Sequence, residues 1–236
     1  TSPDLAAGHD HTWVRLGAVG MAIEALQAAG CKDVVFAGAV KRPSLFSLGL
    51  DGRGAKLFAK FGKAALGDDR LLTILVKELE GEGLNVVGAE DVLAGLLVEA
   101  GMLGRHRPDE TADIDIALGL EVTKVIGALD IGQAAIVQQG VVLGVEGVEG
   151  TDGLIRRCAD LRRDGPGGVL VKIKKPGQER RVDLPTIGVE TVRAAAEAGL
   201  RGIAIQAGAT LVLHREDVIT AADAAGLFLV AVTVDP

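Results

Sequence analysis

Segments with a helical period alternate with short apolar runs along nearly the whole chain, and that alternation leaves few folds open. Strands joined through helices return in parallel, so such a chain builds a sheet covered by helices. Residues 16–30 set Val19, Ile23 and Leu26 on one stripe and stop at Gly30, which predicts a helix. Residues 33–40 follow as a short strand around Val34-Val35-Phe36-Ala37, ended by Gly38 and by Arg42-Pro43. A second helix is predicted over 68–81, with Leu71, Leu72, Leu75, Val76 and Leu79 inward, and Asn85-Val86-Val87-Gly88 is the next strand. The first half therefore reads as a Rossmann-like domain. In such sheets ligands sit beyond the carboxyl ends of the strands, where Lys41 and Arg42 are candidate anchors for a phosphate or nucleotide, or plain surface charges beside a turn.

Residues 101–113 mix glycine, proline and charge without an apolar period, the signature of a linker or of an ordered loop within a single domain. The expected division is a first domain over 1–104 and a second over 105–236, with a hinge near Gly104. The second half reads as α/β with a mixed sheet. Its expected elements are a helix over 115–128, a hairpin of 133–137 with 141–145 turning at Gln139-Gly140, a helix over 151–161 capped by Thr151 or Asp152, and a strand over 169–173. Helices over 191–199 and 215–225 alternate with strands over 203–207, 211–213 and 227–234.

Charge and composition exclude several functions. A formal net charge of −7 disfavours general nucleic-acid binding, and a chain with no Tyr and one Trp lacks a base-stacking platform. The longest apolar runs fall short of the ~20 residues of a membrane-spanning helix, and no signal peptide is visible. Cys31 and Cys158 fit no metal-spacing pattern, so a reduced, cytoplasmic protein is expected. The four histidines show no paired metal spacing beyond His9-Asp10-His11, and no Walker phosphate loop or nucleophile elbow is present.

What remains is a dense group of charges between Glu146 and Gly188. Glu146, Glu149 and Asp152 precede Arg156 and Arg157, and Lys172, Lys174, Lys175, Arg180, Arg181 and Asp183 follow. Carboxylates beside cations suit phosphate chemistry, because hard oxygens hold Mg²⁺ while Lys and Arg neutralise phosphate oxygens. The turn at Glu149-Gly150-Thr151-Asp152 opens a predicted helix, whose unpaired N–H groups can receive an anion. Asp183 is either a metal ligand or water-orienting base, or one half of a surface ion pair with a neighbouring arginine. Glu146 and Glu149 could aim at one cation, or end their strand as solvated charges. Gln133 can hydrogen-bond a sugar, a phosphate or only the backbone.

Four separated motifs carry a family resemblance: Asp130-Ile131-Gly132-Gln133, Glu146-Gly147-Val148-Glu149-Gly150-Thr151-Asp152, Lys174-Lys175-Pro176-Gly177-Gln178 and Arg181-Val182-Asp183-Leu184-Pro185-Thr186-Ile187-Gly188. In this order they resemble the UDP-2,3-diacylglucosamine pyrophosphatase family of the lipid A pathway, the form distinct from the metallophosphoesterase. The resemblance implies Mg²⁺-dependent (or Mn²⁺-dependent) hydrolysis of a diphosphate to UMP and 2,3-diacylglucosamine 1-phosphate, water attacking the β-phosphorus. It implies catalytic roles for Asp183, Glu149 and Lys174, and a metal held by Asp183, Glu146 and Glu149. Substrate contacts fall to Lys41, Arg42, Gln133, Thr151, Asp152, Lys175, Gln178, Arg181 and Thr186. The partners expected are a UDP-linked diacylated sugar lipid and, transiently, the inner-membrane surface; a homo-oligomer is compatible. The family opens with a strand and a triple-glycine turn, and the chain is expected to begin inside that domain. A non-catalytic module that holds a nucleotide or phospholipid on the same basic loops is the competing reading, and a lipid carrier a third.

Overall fold

The computed structural model describes residues 6–38, 49–61 and 68–235. Two compact units divide at Val92 and Leu93. In the first unit, α1 (Val19–Ala28), β1 (Asp33–Val35), α2 (Gly52–Phe61), α3 (Asp68–Gly81), β2 (Asn85–Val87) and α4 (Ala89–Val92) follow in order. Among the described residues its sheet is the parallel pair β1–β2, with Val34 opposite Val86. Ile23, Val76, Leu79, Leu84 and Val86 are buried. Asp51 fastens the start of α2, its carboxylate accepting from the backbone N–H of Gly54 at 2.7 Å and, from α1, of Met21 at 3.0 Å. These bonds hold the Asp51 carboxyl below its ordinary range, the Gly54 amide most of all.

The second unit holds β3 (Gly101–Met102), α5 (Glu110–Ala128), β4 (Ala134–Gln138), β5 (Val141–Val145), α6 (Gly150–Ala159), β6 (Val169–Lys172), β7 (Thr186–Ile187), α7 (Val189–Glu197), β8 (Gly202–Gln206), β9 (Leu211–Val212), α8 (Arg215–Ala224) and β10 (Phe228–Val232). Six of these strands form one mixed sheet in the order β3-β10-β8-β6-β4-β5. β6, β8 and β10 run parallel, while β3 and β4 are antiparallel to their neighbours. The parallel strands are apolar runs because both faces are covered. On one side α5 packs Ala112 and Ile116 over Val169, Val171 and Phe228. On the other, residues of α6, α7 and α8 pack over Leu170, Ile203, Ile205 and Leu229. Gly119 lets α5 lie close to β6, since a Cβ there would meet Val171 Cγ2 at 2.4 Å.

Two sequence expectations are corrected here. The segment 101–113 is no linker: Gly101–Met102 pairs with β10, and the Leu103 and Arg105 amides donate to Leu229 O and Asp223 Oδ1. Too short to show a period, it looked irregular. The next helix also begins earlier than 115, because Asp109 caps it, accepting from the Ala112 N–H at 2.9 Å.

The hairpin β4–β5 turns at Gln139 (φ 53) and Gly140 (φ 71), the left-handed pair that a two-residue turn requires. From α5, the buried Asp115 carboxylate reaches this turn and accepts from Gln139 N at 3.0 Å and Gly140 N at 2.7 Å. Both bonds are to a charged acceptor, so Asp115→Ala is expected to cost ~2–4 kcal/mol in urea unfolding, and Asp115→Asn less.

Candidate active site

The carboxyl ends of β5 and β6 lie on the same edge of the sheet, because β4 is antiparallel to both. Beyond that edge the chain turns into α6, and further on the β7–β9 pair leads into α7 and α8. A cleft of about 570 Å³ opens there. Glu149, Gly150, Thr151 and Asp152 from the start of α6 line it on one side, with Gly188, Val189, Glu190 and Thr191 from the start of α7 on another. Thr186 and Ile187 of β7, with Leu213 and His214 before α8, complete the wall. Three helices thus begin at one cavity. Each presents backbone N–H groups without intrahelical partners and the positive end of its dipole, which makes the cleft a receptor for anions.

At its base is Lys172, the last residue of β6, 7 % exposed. Its Nζ donates to the Thr186 carbonyl at 2.9 Å. An ammonium carries three donors, so one bond to a carbonyl leaves capacity for a phosphate oxygen. Burial pulls the Lys172 ammonium below the ordinary lysine range, and the fields of Glu146, Asp152 and Asp183 oppose that shift and favour its charged form. Lys172 is therefore a buried amine whose charged form burial disfavours and the fields of three carboxylates favour.

Each carboxylate is held differently. Glu146, 6 % exposed, accepts from the Gln133 backbone N–H at 2.8 Å and from the Thr151 hydroxyl at 2.7 Å, tying the start of β4 to the first turn of α6. The chain passes so closely that a Cβ on Gly132 would meet the Glu146 carbonyl oxygen at 2.2 Å. Asp183 accepts from the Gln178 side-chain amide at 2.6 Å, and Gln178, itself buried, accepts from the Lys175 backbone N–H at 3.0 Å. The loop between β6 and β7 therefore fixes the orientation of Asp183. Asp152 lies in the first turn of α6, where a carboxylate complements the dipole. Glu149 is the N-cap residue of α6 and pairs with Arg157 at 2.8 Å. That guanidinium holds the Glu149 carboxyl below its ordinary range.

The structure brings Glu149, Thr151, Asp152 and Thr186 to the cleft, with Glu146 and Asp183 bearing on its lysine. Several expectations change. Neither Thr151 nor Asp152 is the N-cap of α6; Glu149 is, and the Thr151 hydroxyl is spent on Glu146. Among the described residues no group of three His, Cys, Asp or Glu side chains is placed to hold a metal ion. Glu146 faces Gln133 and Thr151, Glu149 faces Arg157 and Asp183 faces Gln178.

Lys174 is not in the cleft lining; its backbone N–H donates to Gln206 and its Nζ to Lys175 O at 3.4 Å. Lys175 pairs with Asp130 at 2.7 Å, and Arg181 with Glu179 at 2.9 Å. Gln133 is part-buried and its Oε1 has no hydrogen-bond partner. Lys41 and Arg42 lie outside the described residues.

Sequence reasoning placed Lys172 among the clustered charges and weighed His214 as a metal ligand, but gave neither a role in the site. The first had a usable signal: a lysine inside the apolar run Val169-Leu170-Val171-Lys172-Ile173 must be buried, and buried lysines are paired or functional. His214 had none, since the contact that places it beside α7 is long-range.

Both halves of the chain are similar to known proteins. A family model described as the LpxI N-terminal domain matches residues 1–96, and one described as the LpxI C-terminal domain matches residues 99–230. UDP-2,3-diacylglucosamine pyrophosphatase LpxI of Caulobacter vibrioides is 48% identical over 232 residues, covering 94% of this chain and 81% of that protein. With both halves matched and the two sequences identical at that level almost from end to end, the chain belongs to the LpxI family.

Proposed function

We propose that this chain hydrolyses the diphosphate of UDP-2,3-diacylglucosamine, releasing UMP and 2,3-diacylglucosamine 1-phosphate (lipid X) for lipid A biosynthesis. The relative's activity supports the reaction class. The observation that carries the reading is Lys172, a buried lysine lining a cleft where three helices begin. A diphosphate is the ligand whose charge and size suit that setting. Its non-bridging oxygens are received by the Lys172 ammonium and the N–H groups of α6 and α7, which also neutralise charge that builds as the bridging bond breaks. Asp183, fixed by Gln178, orients the attacking water and accepts its proton. Glu146 holds Thr151 and the first turn of α6 in register with β4.

The carboxylates fit Mg²⁺, or Mn²⁺, in one way. Mg²⁺ is commonly bound by one or two carboxylates together with substrate phosphates and water, and Asp152 of the cleft lining, with Asp183 acting on Lys172, would supply such donors. Such an ion supplies further neutralisation of the diphosphate when bound. The substrate's acyl chains bring the protein to the cytoplasmic face of the inner membrane transiently; no helix of the described residues is long and apolar enough to cross one.

Release of UMP from UDP-2,3-diacylglucosamine, followed with Mg²⁺ and with chelator, tests the reading. Turnover that requires the ion is expected. Tight binding of the substrate with no UMP formed under either condition would instead make the chain a non-catalytic binding module.

A further inference from the structure

We propose that His214 contacts the diphosphate directly, its imidazole N–H donating to a non-bridging oxygen from the start of α8; this rests on the function proposed above. One observation on its backbone, one on its side chain and one on its position lead there. His214 is the N-cap residue of α8, yet its backbone is left-handed, with φ 52 and ψ 58, where a capping residue ordinarily takes an extended conformation. Its side chain makes no hydrogen bond to the helix it precedes. Capping thus explains neither its conformation nor its chemistry.

Two other non-glycine residues share a positive φ among those described, Asp130 and Gln139. Both have a local reason. Gln139 forms the hairpin turn with Gly140, and Asp130 directly follows the C-cap of α5, where a left-handed residue closes a helix. His214 closes the two-residue turn Leu213-His214 that joins β9 to α8. Left-handed backbone at a non-glycine position persists where the surroundings impose it, and such positions gather at ligand sites. Here the imposition is visible: the neighbouring Leu213 N–H donates to Ile187 O at 3.0 Å, and the His214 carbonyl accepts from Val218 at 3.0 Å, so the residue is held between β7 and α8. The position of His214 in the cleft wall, with Glu190 and Thr191 of α7 and with Lys172 at the base, then gives its ring a ligand to meet. Among the described lining residues it is the one imidazole.

The test uses the full chain with His214→Gly and His214→Asn. Glycine is at ease at φ 52 and asparagine tolerates it, so either removes the ring without disturbing the backbone. Both variants are expected to melt at or above the wild-type temperature while kcat/KM for UMP release falls by about 10- to 100-fold, the loss of one hydrogen bond to a charged ligand. Calorimetric affinity for UDP is expected to fall by about tenfold or more in both. Wild-type kcat/KM and UDP affinity in His214→Gly would overturn the assignment, as would activity losses that track losses of melting temperature. Were the wild-type chain to release no UMP, the proposed function would fail on its own, and UDP affinity in the two variants would still decide the role of His214.

Discussion

Asp183→Ala is expected to lower kcat for UMP release by about 10²–10⁴-fold, the range a positioned general base supplies. Asp183 is partly exposed and its Oδ2 accepts from Gln178 at 2.6 Å. Removing it leaves the Gln178 amide short of one acceptor that water can replace, so the fold should lose no more than ~1 kcal/mol. Asp183→Asn keeps the shape and an oxygen for Gln178 but cannot take a proton, and is expected to fall nearly as far. Near-normal turnover in both variants, measured by release of UMP at saturating substrate, would remove Asp183 from the mechanism. Activity lost in proportion to secondary structure in circular dichroism would make the residue structural instead.

Lys172→Met keeps the length of the side chain and deletes its charge. The expected loss is about 10²–10³-fold in kcat/KM, comparable to removing one preorganised donor from a site of developing charge. Stability moves less, because two effects oppose. The Thr186 carbonyl loses its donor, a cost of ~1–3 kcal/mol, while an ammonium that burial disfavours is no longer held in the interior. Wild-type kcat/KM in this variant would show that the diphosphate does not reach the base of the cleft.

Local physics made much of the second unit readable from sequence. The hairpin was legible because Gln139-Gly140 can adopt positive φ between two apolar runs. The parallel strands were legible because a strand covered on both faces must be apolar throughout, as Val169-Leu170-Val171 and Ile203-Ala204-Ile205 are. The edge strand Gly101–Met102 was not, since two residues carry no period and its pairing depends on β10, far along the chain. The start of α5 hid behind Pro108, although Asp109 with Glu110 and Asp113 after it is a capping pattern.

The site divided along the same line. Glu149, Thr151 and Asp152 line the cleft because a turn follows β5, and Thr186, singled out by the family resemblance, lines it from β7. Lys172, Lys174 and Lys175 are one or two residues apart, and only the packing decides that the first enters the cleft while the third pairs with Asp130. Glu146 shows the converse. Its carboxylate looks like a ligand in sequence, yet the fold turns both oxygens onto Gln133 and Thr151. The supporting bond from Gln178 to Asp183 spans a short loop, but nothing in the sequence fixes which side chains of that loop meet.

The most direct measurement is a crystal structure of the inactive Asp183→Ala chain with UDP-2,3-diacylglucosamine bound. The diphosphate is predicted to lie within hydrogen-bond reach of Lys172 Nζ and of the first N–H groups of α6 and α7. A diphosphate seated on another surface, with Lys172 bonded to Thr186 alone, would contradict the assignment of this cleft as the site of hydrolysis.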